Sequence, residues 1–328
     1  MPVQITIIGL GQIGASLGLA LAAHKDKVTT VGHDKDFSIE RLAQKKGVVD
    51  KTNRSLPSSV EDANVVVLAL PVHEVRETLC YIAQDLNKDT VVVDMTPVKA
   101  EVAKWAQEIL PDGVHYIGLV PAIGPDHLHE TETGLDSAKA DLFTKSTFLL
   151  SAPYGTPGEA IQLISGLVSL TGGSILITDF VESDGLMASV HLLPQLVSAS
   201  LLNATMDQPG WQEARKVAGR AYFAATSTLT DQDDVEALRI LTLQDRENVT
   251  HRLNAMINAL VDFRDDIEDG NEDALQDRLK AAQDGRKNWL NERFTANWME
   301  MKREIVEKTS IKERLLGTMF SKPDKKDK

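Results

Sequence analysis

The chain has one cysteine, Cys80, in 328 residues. A lone thiol forms no internal disulfide, which fits a reducing, cytoplasmic setting. Basic residues are also in deficit: 35 Lys and Arg stand against 48 Asp and Glu, for a net charge of −13. Polyanion binding needs a positive surface, so a general nucleic-acid binder is excluded. No uninterrupted apolar run reaches the ~18 residues of a spanning helix, so no membrane span is expected. The N-terminus runs directly into a strand-like pattern, and no signal peptide is expected. The length suffices for two domains.

What is present begins at once. The apolar run Ile5-Thr6-Ile7-Ile8 reads as a buried strand, followed by Gly9-Leu10-Gly11-Gln12-Ile13-Gly14 and a helix-like segment from Ala15 to Ala22. A second strand-like run from Val28 to Gly32 ends at His33-Asp34, twenty residues beyond Gly14. Strand, glycine turn, helix, strand and acid in this register form a dinucleotide-binding fingerprint. Gly9 allows the tight turn, Gly11 lets the backbone approach a pyrophosphate, and Gly14 lets the helix pack against the strand. Free N–H groups at the helix start, around Gln12 and Ile13, suit phosphate oxygens. Asp34 is placed to accept hydrogen bonds from a ribose diol. That favours NAD over NADP, since a 2′-phosphate would meet like charge with only Lys35 beside it to compensate. The plainer alternative is a glycine turn that packs a helix and binds nothing.

The alternation of strand and helix continues. Val65 to Leu70 is an apolar run closed by Pro71, and Thr90 to Asp94 is another. Shorter strand candidates are His115–Gly118, Ser146–Leu150 and Ser174–Thr178, with helices near 73–87, 98–109 and 156–170. Residues 1–179 therefore read as a doubly wound α/β sheet. From Phe180 the strand signals vanish. Residues 180–308 read as an all-helical domain, with helices expected at 211–228, 232–268, 271–285 and 286–308 and a kink at Pro194. Leu238, Leu241, Leu243, Val249, Leu253, Ile257, Leu260 and Phe263 make a broad apolar stripe, which suits homodimerisation or packing within one subunit. Residues 309–328 form a lysine-rich tail whose Leu315, Leu316, Met319 and Phe320 make a short amphipathic patch. A solvated end or a transient partner or membrane contact would both account for it.

The order of these pieces resembles the prephenate/arogenate dehydrogenase family from about residue 3 to residue 290. The family's Gly-Leu-Gly-x-Ile-Gly-x-Ser-Leu matches Gly9 to Leu17, and its Gly-x-Asp matches Gly32-His33-Asp34. Its Ala-x-Pro-Val matches Ala69-Leu70-Pro71-Val72, placing Leu70 and Pro71 beside the coenzyme. Its Asp-x-x-Ser-x-Lys falls on Asp94-Met95-Thr96-Pro97-Val98-Lys99. Ala188, Val190 and Pro194 fall in its helical Ala-x-Val-Ser-His-Leu-Pro-His motif, and Asn248 and Arg286 lie near later family positions. The resemblance implies a Rossmann domain followed by a helical dimerisation and substrate domain. It also implies hydride transfer from a small hydroxylated cyclohexadienyl acid to NAD, in tyrosine biosynthesis. Such chemistry calls for an acid/base group at the ring hydroxyl and cations at the carboxylates.

The chemistry-bearing positions depart from that pattern. The family serine aligns with Pro97, its His-Pro with Val120-Pro121, and Ser-His-Leu-Pro-His with His191-Leu192-Leu193-Pro194-Gln195. The region of its substrate arginine, Phe223 to Leu229, holds none. Four residues remain as catalytic candidates. His191 suits acid/base work, or is a hydrogen-bonded interface histidine. Thr96 offers a hydroxyl near the nicotinamide ribose, or is a turn residue. Lys99 hydrogen-bonds near the active site, or is a surface lysine. Gln195 contacts a polar substrate, or caps the kink at Pro194. Asp126, His127, His129 and Glu130 lack a third ligand at a diagnostic spacing, so no metal is expected and a loop over the cleft is the better reading. Asp231, Asp233 and Asp234 read as a solvated run or helix cap. The family reaction with relocated residues, a different small substrate, and a non-catalytic dinucleotide-binding sensor or partner protein all remain open.

Overall fold

The computed structural model describes residues 2–229, 235–296 and 298. The tail at 309–328, the acidic run at 231–234 and the end of the helix expected at 286–308 lie outside them. The first half comprises β1 (Val3–Ile8), α1 (Gln12–Leu21), β2 (Val28–His33), α2 (Phe37–Lys45), β3 (Lys51–Thr52), α3 (Leu56–Val60), β4 (Val65–Leu68) and α4 (Val72–Ile82). It continues with β5 (Val91–Asp94), α5 (Ala100–Ile109), β6 (His115–Pro121), β7 (Thr147–Ser151), α6 (Gly158–Leu170) and β8 (Ser174–Ile177).

The strands form one sheet in the order β3-β2-β1-β4-β5-β6-β7-β8, parallel except where β6 meets β7. The chain turns from β1 outward to β2 and β3, then returns to place β4 on the other side of β1. That reversal opens a crevice at the carboxyl ends of β1 and β4, where open α/β sheets bind ligands. The strands read as continuous apolar runs because both faces are covered. Ile5, Ile7, Val65, Val67, Val91 and Val93 pack with α1 and α6, whereas Ile8, Val66, Leu68 and Val92 pack with α4 and α5. The doubly wound α/β reading is thus the observed one. The two-residue β3 is an addition, too short for a sequence period to reveal.

After Asp179, whose carboxylate accepts a hydrogen bond from Glu182 N at 2.7 Å, the described residues form helices and their connections, with no strand among them. The elements are α7 (Phe180–Met187), α8 (Leu193–Met206), α9 (Trp211–Val217), α10 (Arg220–Thr226), α11 (Val235–Gln244), α12 (Arg246–Glu268) and α13 (Glu272–Thr295). Several boundaries differ from expectation. The stretch 211–228 breaks at Ala218 and the extended Gly219. The helix expected at 232–268 breaks at Asp245, whose backbone leaves the helical region (φ −106°, ψ 40°) and whose carboxylate accepts from Asn248 Nδ2 at 2.8 Å. Conversely, α13 runs through Gly285 without a break, since one interior glycine costs only about 1 kcal/mol relative to alanine. Ahead of Pro194 the helix widens into a π turn, Ala188–Leu192, in which Leu193 N bonds Ala188 O.

Ala188, Leu192, Leu241 and Val249 join the apolar cluster on the α4/α5 side of the sheet, so the helical half docks on that face. Its outer surfaces are less covered: α12 buries only Val249, and Ile257, Leu260 and Ile267 stand exposed. The continuous helical run Phe180–Met206 holds an 18-residue stretch of mean hydropathy 1.4, long and apolar enough by composition to cross a membrane. No such helix was expected, because polar residues such as Ser183, Asp184 and His191 interrupt the apolar run. In the fold Asp184, Ala188 and Leu192 are buried against the sheet domain.

Candidate functional site

The glycine turn is built as its sequence requires. Gly9 has φ +92°, and a Cβ there would lie 2.4 Å from Ala69 O. A Cβ on Gly14 would lie 2.0 Å from Gly9 O, so α1 can meet the turn only with glycine at that position. Gly11 is different, because a Cβ there would meet nothing within 4 Å. Its open face is the approach a bulky phosphate needs, at the start of α1 where backbone N–H groups are free. Gln12 and Ile13 are half-buried, Gln12 Nε2 donates to Glu132 O at 3.0 Å, and Leu70 and Pro71 follow β4 across the crevice.

Asp34 is held from two sides. Its Oδ2 accepts Leu10 N at 2.8 Å and its Oδ1 accepts Asp36 N at 2.9 Å. Each carboxylate oxygen keeps a lone pair, so a diol can still bind a carboxylate already fixed in place. Glu40 Oε1 accepts Asp34 N at 3.1 Å from below. Lys35, the expected counter-charge, is paired with Glu74. Arg54, which sequence reading missed, stacks 3.6 Å above the exposed Phe37 ring at the same edge.

At the carboxyl end of β5 the structure assembles a buried polar cluster. Lys99 is 0% exposed, and its Nζ lies 2.6 Å from Asp94 Oδ2 and 2.8 Å from Asp94 O. Thr96 donates its N–H to Asp94 Oδ1 at 3.0 Å, and its hydroxyl lies 2.9 Å from Asp94 Oδ2. Tyr116 reaches the same oxygen at 3.4 Å. From α7, Asp184 accepts Lys99 N at 2.6 Å and Ala100 N at 3.0 Å, capping α5 from the helical half. Burial pulls the Lys99 ammonium below its usual range, against the opposing pull of Asp94. Burial likewise raises the Tyr116 phenol, the Asp184 carboxyl and the Asp245 carboxyl. Thr96 and Lys99 therefore face inward and do not present themselves at the surface of the cleft.

His191 sits half-buried in the π turn, a distortion that recurs at functional sites. Gln195 turns back along its helix and donates to His191 O at 2.9 Å, which is the kink-capping arrangement. The aligned histidine positions are apolar core here: Leu192 is 0% exposed and Val120 5%.

The segment after β6 leans over the glycine turn, through Gln12 to Glu132 O and through Lys139 N to Ser16 Oγ at 2.9 Å. Within it His127 lies 3.2 Å from both Glu130 and Asp141, with Glu130 also paired to Lys139. Among the described residues no group of three or more His, Cys, Asp or Glu is arranged to hold a metal ion. The sequence thus located the glycine turn, Asp34, Leu70 and Pro71 at one crevice. It missed Tyr116, Asp184, Asp245 and Arg54, which carry no local motif, although Asp94-x-Thr-x-x-Lys hinted at the ion pair.

Comparison with known proteins agrees with this geometry. A family model described as prephenate dehydrogenase, nucleotide-binding domain, matches residues 17–177. The chain is 27% identical over 202 residues to the prephenate dehydrogenase of Bacillus subtilis, covering 61% of this chain and 53% of that protein. It is 30% identical over 201 residues to the cyclohexadienyl dehydrogenase of Zymomonas mobilis, covering 61% and 66%. The matches thus span between about half and two thirds of these relatives. Among solved structures, the prephenate dehydrogenase of Aquifex aeolicus in complex with hydroxyphenyl propionate and NAD+ superposes with a TM-score of 0.78 at 21% identity, over 88% of this chain and 98% of that one. Synechocystis arogenate dehydrogenase gives 0.70 at 21% identity, over 88% and 100%. At these identities the structures show a shared fold.

Proposed function

We propose, for a chain that belongs to the prephenate/arogenate dehydrogenase family through its nucleotide-binding half, an NAD-dependent dehydrogenase acting on a small hydroxylated carboxylic acid. One observation carries the reading. The open face of Gly11 and the fixed carboxylate of Asp34 flank the crevice at the strand ends, one suited to a pyrophosphate and the other to a ribose diol. The residues present therefore fit the coenzyme. A bound nicotinamide supplies the hydride acceptor, and the protein supplies position and charge.

In this reading the N–H groups at the start of α1 hold phosphate oxygens, and Asp34 favours an unphosphorylated ribose. Leu70 and Pro71 form the opposite wall. Thr96 and Lys99 act as positioning residues, holding the β5 turn through Asp94. His191 is the acid/base candidate, and Gln195 keeps the π turn in shape. The two buried apolar residues at the aligned histidine positions favour a substrate that differs from prephenate or arogenate within the same chemical class. A non-catalytic dinucleotide sensor would share the coenzyme site and lack turnover. The bare apolar positions on α12 and α13 support a homodimer, and the free, exposed Cys80 fits a reducing cytoplasm.

Calorimetry with NAD, and NADH formation with prephenate, arogenate and a panel of hydroxy acids, separates these readings. Asp34→Ala should weaken NAD binding more than NADP binding. Equal losses would refute the coenzyme preference, and a wild-type protein that binds neither NAD nor NADH would refute the enzyme reading.

A further inference from the structure

Glu40, in the first turn of α2, is 2% exposed, and among the described residues it is the one buried glutamate. Its neighbour one turn along the helix, Ala43, is buried in the apolar cluster on the α1 side of the sheet. An aliphatic side chain would fill the place of Glu40 at no electrostatic cost, whereas a carboxyl taken out of water weakens the fold unless its oxygens are used. Here they are used at one spot. Glu40 Oε1 accepts Asp34 N at 3.1 Å and lies 3.2 Å from His33 Nδ1, which in turn lies 2.9 Å from Asn53 O.

These contacts meet at the end of β2, where the glycine turn is also tied. Gly9 N donates to His33 O at 2.9 Å, and Leu10 N donates to Asp34 Oδ2 at 2.8 Å. Asp34 is thus held at its carboxylate by Leu10 and Asp36, and at its main chain by Glu40. The main-chain hold is the one that reaches back from a helix. A group that reads a ligand must be kept within about 0.5 Å of its working place by the residues behind it. Glu40 stands behind Asp34 in that sense.

We propose that Glu40 is a positioning residue for the coenzyme ribose, acting through the main chain of Asp34, and that the place requires an acceptor and not a charge. Held from α2, the Asp34 carboxylate presents its free lone pairs to a ribose diol, and NAD is taken over NADP. Without that hold the strand end relaxes, and the preference for the diol over a 2′-phosphate falls. The proposal rests on the coenzyme reading given above.

The test is titration calorimetry on the full chain with NAD and NADP, for wild type, Glu40→Met, Glu40→Gln, Asp34→Ala and the double variant E40M/D34A. The readout is the ratio of the NADP to the NAD dissociation constant. Methionine matches glutamate in length and lacks the acceptor, so E40M should lower the ratio by about tenfold, the worth of one hydrogen bond to a charged group. E40Q keeps an acceptor and should leave the ratio within about twofold of wild type. In the D34A background E40M should change NAD affinity by less than about twofold, because residues acting through one group are not additive. E40M should also melt at or above wild type, since an apolar residue of like volume in place of a buried charge is often neutral or stabilising. A structural role looks different: E40M melts lower and weakens NAD and NADP alike in both backgrounds, and that result overturns the proposal. So does an E40M ratio equal to that of wild type. A fall of about tenfold in E40Q overturns it as well, even where E40M fails to fold. A wild type that binds neither coenzyme defeats the coenzyme reading and the role of Glu40 with it. A wild type that binds both, with a ratio that E40M does not move, leaves that reading standing and removes Glu40 alone.

Discussion

Replacing Lys99 by methionine should destabilise the sheet domain by about 3 kcal/mol, because removing one partner of a buried ion pair costs about 3–5 kcal/mol. The lower end applies for a structural reason. Methionine fills much of the same volume, and the abandoned Asp94 carboxylate keeps Thr96 N, the Thr96 hydroxyl and Tyr116 within 3.4 Å. The reciprocal change, Asp94→Asn, should cost nearer ~5 kcal/mol, since it leaves a fully buried ammonium with the Asp94 carbonyl and an amide oxygen. For a domain of this size ~3 kcal/mol corresponds to a fall of roughly 6–12 °C in melting temperature. The double variant should cost less than the sum of the singles by roughly 1–3 kcal/mol, because each single strands the other charge. Thermal melts and urea titrations of the three variants measure all of this. A Lys99→Met variant that melts within about 2 °C of wild type, with additive behaviour in the double, would show that the pair does not hold the β5 turn.

Two further predictions concern other parts of the site. Gly11→Ala should fold normally, since its Cβ meets nothing within 4 Å, yet weaken NAD binding by about tenfold or more by filling the phosphate approach. Gly14→Ala should lose stability and binding together, because its Cβ would sit 2.0 Å from Gly9 O; melts paired with calorimetry distinguish the two. Asp245→Asn should change stability in a pH-dependent way. Burial raises the folded-state pKa of Asp245, so the folded protein holds that proton more tightly than the unfolded chain. The resulting penalty is absent below about pH 4 and complete above the raised value. D245N should therefore melt higher than wild type at pH 7 and show no gain near pH 3.5; an equal gain at both would contradict the assignment.

The parts of the site legible in the sequence are those whose geometry is dictated locally. Gly9 must adopt a positive φ and Gly14 must clear Gly9 O, so backbone sterics write themselves into residue identity. The parallel strands were visible because burial on both faces leaves unbroken apolar runs such as Val65 to Leu68. Illegible were contacts between distant elements. Asp184 caps α5 across 85 residues of chain and Arg293 bonds Ile123 across 170, and neither separation leaves a period or motif. Pro194 announced a distortion and not its form; the π turn follows from how α7 must meet the sheet at Ala188 and Leu192.

The positions of Leu192 and Val120 bear on what chemistry the cleft supports. Imidazoles at these places would need access to a ligand, whereas here both side chains are buried, and Leu192 packs in the cluster that docks the helical half on the sheet. Restoring a histidine at Leu192 alone would therefore insert an unpartnered polar ring into an apolar cluster, and would cost stability before it could move a proton. The helical half has given that stretch to packing, and with it the freedom to do acid/base work there. Among the described residues, the polar groups near the crevice include the glycine turn with Asp34, the buried Asp94–Lys99 pair and His191 in the π turn.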